Sequence, residues 1–325
     1  MDAISRIKQL GMPRRNNELW TFFPVSKIPT PEFPDACACA EDFSSENDFA
    51  ALLPIASNAR TLERSIADGD SEMALLKCNN DFGRTVLNIG KNAKASFEIL
   101  DNKVMHALDA ERFDLHVGEG ADVEIFFANP ANDLPLRFRH FNIEQAAGSN
   151  VRFSSIERGN GISRVSLDCH LRGAGAHFEI RTLNILDGTS ESHHRLHIYH
   201  DSPETTSVQF SRNLLDGSSR ASYDGSVVVG NGCTKAYSSQ LVNTILLSED
   251  SSVSVKPVLK IYHDDVECTH GNTVGELDAD QMFYLVSRGI PPEKAKMMLI
   301  SSFARELFYP LPDSPAKKRL LQILQ

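Results

Sequence analysis

The feature that most constrains this chain is a punctuation repeated along its middle. Short runs alternating apolar and polar residues are separated by Gly, Asn, Asp or Ser, and Gly-Ala or Gly-Ser with a polar residue recurs just before a run, as in "GEGADVEI" (118–125), "AAGSNVRF" (146–153) and "RGAGAHFEI" (172–180). Alternation with period two places successive side chains on opposite faces, the signature of half-buried strands. Similar runs recur from about residue 73 to 265, among them "RTVLNIG", "ASFEIL", "RFDLHVG", "SRVSLDCHL", "SVQFSRNLL", "ASYDGSVVVG" and "SSVSVKPVLKIY", with almost nothing helical between them. That texture excludes a doubly wound α/β sheet and fits a sandwich, a barrel or a β-solenoid. The number of runs favours the solenoid, because a single sandwich is finished sooner.

The flanks read differently. The proline-studded "FFPVSKIPTPEFPD" (22–35) forbids a long helix and predicts an extended arm. "ISRIKQLG", ending on Gly11, and "ENDFAALLPIA" are predicted short helices. Asp278, followed three residues on by Gln281, opens a helix that closes at Gly289. Pro291 or Pro292 starts the next, in which Met297, Ile300, Phe303, Ala304 and Leu307 recur at helical spacing. A last helix places Leu320, Leu321 and Leu324 along one side. The expected division is therefore an arm and helical region at 1–72, a β-helix core at 73–275 and a helical region at 276–325.

Charge and cysteine usage narrow the function. With 33 basic and 43 acidic residues the chain carries a net charge of -10, which repels phosphate backbones and anionic lipid, so no nucleic-acid partner is expected. No apolar run approaches the roughly 18 residues that span a bilayer, so no membrane insertion is expected, and the start "MDAISRIKQLG" lacks the apolar core of a signal peptide. The expected compartment is the cytoplasm. The 6 cysteines lack the density of a disulfide scaffold and are expected to be free thiols or ligands. Cys37 and Cys39 stand close, but without the two-residue spacer usual in zinc knuckles.

Two clusters have metal-ligand chemistry. In Cys268-Thr269-His270, residues two apart on an extended segment share a face, so a thiolate and an imidazole can reach one soft or borderline metal. That is half a tetrahedral site, and ligands from another subunit would make it interfacial. Otherwise Cys268 is a small apolar residue and His270 a satisfied polar one. Asp264, Asp265 and Glu267 lie alongside. In "HHRLHIYH" a strand sends His194 and His200 to one side and His193 and His197 to the other, which prevents all four from meeting on one ion. The sequence contains no Gly-x-Ser-x-Gly elbow, no phosphate loop and no His-Glu-x-x-His helix, and "GNGCTK" (230–235) has glycines at the wrong spacing.

The segments "RNLLDGSSRASYDGSVVV" (212–229) and "NTILLSEDSSVSVKPVLKIYHDDVECTHGNTVGELDADQMFYLVSRGI" (243–290) resemble the SufB/SufD family of iron–sulfur cluster assembly scaffolds, within an ordered match over roughly 190–305. "GMPRRNNELWTFFPVSKI" (11–28) is similar to a segment near the start of SufD proteins. SufB members typically read Cys-x-His-Glu-Ala where this chain has Cys-Thr-His-Gly-Asn, which favours the SufD branch. The resemblance implies a right-handed parallel β-helix (β-solenoid) with a short N-terminal arm and C-terminal α-helices, and no catalytic residues of its own. It implies pairing with a SufB-type paralogue, a homodimer being the alternative, and docking of a SufC-type ATPase through the C-terminal helices. It assigns Cys268 and His270 to a transient iron or iron–sulfur cluster at the subunit interface, with nothing tightly bound in the isolated chain. The chain is shorter than most SufD proteins, which implies a reduced N-terminal helical region. The rival expectations are a polysaccharide-acting β-helix enzyme and a purely structural partner that binds no metal.

Overall fold

The computed structural model describes residues 1–78, 82–100, 107–129, 136–159 and 161–324. Among the described residues sixteen strands form two parallel eight-stranded sheets. One sheet holds β1 (Arg60–Ile66), β3 (Phe82–Ile89), β5 (Asp109–Val117), β7 (Leu136–Gln145), β9 (Ile162–Leu171), β11 (Glu191–His200), β13 (Arg220–Val229) and β15 (Ser252–Ile261). The other holds β2 (Ser71–Lys77), β4 (Lys94–Leu100), β6 (Asp122–Asn129), β8 (Asn150–Arg158), β10 (His177–Leu186), β12 (Thr206–Leu215), β14 (Ala236–Leu246) and β16 (Val266–Gly275). Each strand pairs with the one two places later, so the chain alternates between the sheets as it advances. This is the parallel β-solenoid expected from the alternation. Its first strand begins at Arg60, ahead of the alternating texture.

The Gly-Ala/Ser punctuation forms one corner of every coil. Gly69, Asn92, Gly120, Gly148, Gly175, Glu204 and Lys235 all have positive φ, and their amides donate to carbonyls of the next turn, as in Gly120 N to Ala147 O at 2.9 Å and Gly148 N to Ala174 O at 2.9 Å. After them, Ala93, Ala121, Ser149, Ala176 and Thr205 fill the inner corner and are wholly buried. The left-handed backbone favours glycine, and the cramped corner admits only a small side chain. One short motif therefore recurs along that corner of the solenoid.

Between the sheets lies an apolar core in which Phe113 stacks on Phe141 at 4.8 Å and Phe141 meets the edge of Phe153 at 4.9 Å. Both outer faces are partly covered. Helices α1 (Ala3–Leu10) and α2 (Phe49–Ala56), with Trp20 and Phe23 of the arm, pack on Ala110, Phe138 and Ile162 of the odd-numbered sheet. Asp2 and Asp48 cap α1 and α2 by accepting amide hydrogen bonds. The helices α3 (Ala279–Ser287), α4 (Pro292–Glu306) and α5 (Pro315–Ile323) follow β16 directly. Leu307, Phe308, Leu311 and Leu320 close over Phe126, Ile156, Leu183 and Leu214 of the even-numbered sheet. The cap at Asp278, the left-handed Gly289 and the start at Pro292 agree with the expected boundaries.

Candidate functional site

The solenoid ends at an open rim. Among the described residues β15 pairs only with β13 and β16 only with β14, so both last strands leave one backbone edge unpaired there. Ile261, Tyr262 and Val274 stand exposed at this end.

Cys268 and His270 lie on β16, opposite Ser238 and Gln240 of β14. Ser238 and Gln240 are buried inside the solenoid, so the parallel register turns Cys268 and His270 toward its mouth. Cys268 is half-buried against the end of the core, and His270 is exposed. Burial pushes the Cys268 thiol up, and the Ser238 backbone offsets this only in part. The group is therefore a neutral thiol at pH 7, needing a bound cation to become a thiolate. Asp264 and Asp265 sit in the turn before β16, and Glu267 alternates onto its other face. Among the described residues no three His, Cys, Asp or Glu side chains converge in a way that could hold a metal ion.

Behind the rim the interior is polar. Ser207 bonds Ser238 at 2.9 Å and His200 Nε2 at 2.8 Å, while His200 Nδ1 bonds Thr205 Oγ1 at 2.8 Å. Thr205 already donates to the Ser202 carbonyl, which fixes the direction of the chain: His200 donates from Nδ1 and accepts from Ser207 at Nε2. Burial pushes His200 down to about 4, so it is neutral. Tyr223 donates to Gln209 Oε1 at 2.8 Å, and next to it Gln240 is buried with neither end of its amide bonded among the described residues. Deeper still, His194 bonds Glu157 at 2.7 Å; burial works against the Glu157 charge, yet this contact holds its carboxyl at about 2.

The strand reading of the histidine run holds. His194 and His200 occupy inward positions of β11, and His193 and His197 outward ones. Cys37 and Cys39 lie by α2 and Arg84 rather than in a four-ligand knuckle. "GNGCTK" is a coil corner, with the Cys233 thiol donating to the His200 carbonyl. The sequence reasoning missed the polar interior. Its signal was there: Thr182, Asn184, Ser207, Gln209, Ser211, Asn213, Ser238 and Gln240 occupy the inward parity of their strands.

A second exposed surface lies just beyond the rim. Phe283 (75% exposed) and Tyr284 project from α3, and Met297 (70% exposed) and Met298 from α4. No helix among the described residues is long and apolar enough to cross a membrane.

A family model described as "SUF system FeS cluster assembly, SufBD core domain" matches residues 73–303. The iron–sulfur cluster assembly protein SufD of Escherichia coli is 30% identical over 213 residues, covering 65% of this chain and 50% of the relative. A SufBD family protein of Synechocystis is 28% identical over 211 residues, covering 64% and 46%. SufD of Bacillus subtilis is 28% identical over 156 residues, covering 48% and 36%. The match thus spans half or less of the length of these relatives.

Proposed function

The chain belongs to the SufB/SufD family of iron–sulfur cluster assembly proteins, and from that premise we propose that it is a SufD-like scaffold subunit rather than an enzyme. The observation that carries this reading is the position of Cys268 and His270: two donors on the last strand of a solenoid, at the mouth of its interior, with no third or fourth ligand beside them among the described residues. A half-site of this kind is completed by a partner that covers the rim. The unpaired edges of β15 and β16, with Ile261, Tyr262 and Val274 around them, supply the surface for a SufB-type subunit. The exposed Phe283, Tyr284, Met297 and Met298 supply an apolar, adaptable surface for a SufC-type ATPase. Iron and sulfide are cargo in this scheme. A neutral thiol that ionises only on metal binding, beside an exposed imidazole, suits a site that must also release what it builds.

The test is reconstitution of the full chain with a SufB-type subunit and a SufC-type ATPase, followed by iron and acid-labile sulfide analysis. Paired substitutions Cys268→Ser and His270→Ala are expected to lower both contents by at least roughly tenfold, since losing even the partners that orient metal ligands costs that much. Complex formation should stay intact. Parent levels of iron and sulfide in that double variant would refute the assignment.

A further inference from the structure

On the outer face of the odd-numbered sheet, roofed by Glu18, Leu19 and the segment 41–48, lies a cleft of about 730 Å³. That is the size of a small-molecule site. Its guanidinium groups are already neutralised: Arg84 pairs with Glu41 at 2.7 Å and Asp114 at 2.8 Å, Arg112 with Glu46 at 3.0 Å, and Arg195 with Asp168 at 2.8 Å. On the roof, Glu18 pairs with Lys256 at 2.8 Å. Lys260 stands exposed at the mouth.

Two groups are left over. Asp224 on β13 lines the cleft and is 8% exposed, yet among the described residues its carboxylate takes part in no hydrogen bond or ion pair. Burial raises its pKa against the pull of Lys256 and Arg195, its register neighbours on β15 and β11, whose charges are already taken by Glu18 and Asp168. Two residues along β11 from Arg195, the register partner of Asp224, His197 also lines the cleft and accepts at Nδ1 from Arg195 at 3.0 Å; because a guanidinium can only donate, the proton of the neutral ring is on Nε2. Burial holds the ring neutral, and its Nε2 is buried without a partner.

We propose that this cleft binds a small organic cation, with an ammonium or guanidinium group on Asp224 and a carbonyl oxygen on His197 Nε2. The pairing of every cleft guanidinium with a carboxylate argues against phosphate-bearing ligands. A bare divalent ion lacks a ligand set, since no three suitable side chains converge among the described residues. A cation that carries its charge on N–H groups satisfies Asp224 without further protein ligands.

The test is calorimetric titration of the full chain with L-argininamide, agmatine, AMP and manganese ion. Saturable binding of L-argininamide is expected, weakened at least roughly tenfold by Asp224→Asn. His197→Phe should weaken L-argininamide but leave agmatine, which lacks the carbonyl, unchanged. Emission of Trp20, which lines a small adjoining cavity with Asp224, verifies that each variant keeps its arm docked. No binding of either amine at millimolar concentration, equal affinity in the Asp224→Asn variant, or tighter binding of AMP or manganese would overturn the proposal.

Discussion

At the scale of single residues, the molecule is governed by polar groups enclosed in a solenoid that is otherwise apolar. His200 is the clearest case. Burial depresses its pKa from the ordinary 6.5 to about 4, with the charge of Asp201 opposing that shift. A depressed histidine contributes stability that is fully present above about pH 6.5 and is lost as the pH falls toward 4, because the unfolded chain binds a proton that the folded chain refuses. Replacing His200→Gln is therefore expected to flatten the stability profile between about pH 6 and 4 by up to about 1.4 kcal/mol per pH unit. Urea titrations at several pH values measure it, and an unchanged slope would mean that other imidazoles dominate. The sequence placed Cys268 and His270 on one face of a strand because their two-residue spacing is local information. It could not disclose Gln240, whose unbonded amide matters only because the solenoid places it beside His270.

At the scale of elements, the corner motif explains why the strands were legible. Both of its requirements, a left-handed residue and a small one, are local and write themselves into adjacent positions. Two glycines show separately the cost of left-handed backbone and of a close backbone approach, the latter at Gly173, two positions before the left-handed Gly175. At Gly148, φ is 62° and a Cβ would meet nothing within 4 Å, so Gly148→Ala is expected to cost about 1 kcal/mol through backbone strain alone. At Gly173 a Cβ would lie 2.0 Å from the Ala147 backbone nitrogen, so Gly173→Ala should cost about 3 kcal/mol. Chemical denaturation of the two variants tests the order, and the reverse order would contradict the account of the corner. β1 escaped the sequence reading for a physical reason: it is the first strand of its sheet, mostly exposed, and so carries no apolar alternation to detect.

At the scale of the whole molecule, the outer coverings were the least legible part. The arm docks through pairs distant in sequence. Arg164 lies over the Trp20 ring at 4.1 Å and pairs with Asp48 at 2.8 Å, both charges being almost fully buried. Arg164→Ala leaves Asp48 buried without its counterion and is expected to destabilise the arm by about 3 kcal/mol. Because Trp20 is the only tryptophan, its emission reports this directly. In the variant, the red shift should come at lower urea than the loss of β-sheet circular dichroism, whereas coincident transitions would show that arm and solenoid unfold as one unit. The expected division at residue 72 rests on texture alone, which carries no trace of such contacts, and it leaves β1 on the arm's side.

The helices at the end of the chain are tied to one sheet both at the rim and across its outer face. α3 is joined to the rim strand β16 by Glu276, Leu277 and Asp278, while the end of α4 is pinned to the sheet's outer face, where Arg181 donates to the Leu307 carbonyl at 2.8 Å and Arg212 pairs with Glu306 at 2.9 Å. The segment between acts as a lever with two fulcrums. A load applied to α3 is delivered to a strand held along one side only, which can peel bond by bond from its inner neighbour, a far softer failure than shearing a whole sheet at once.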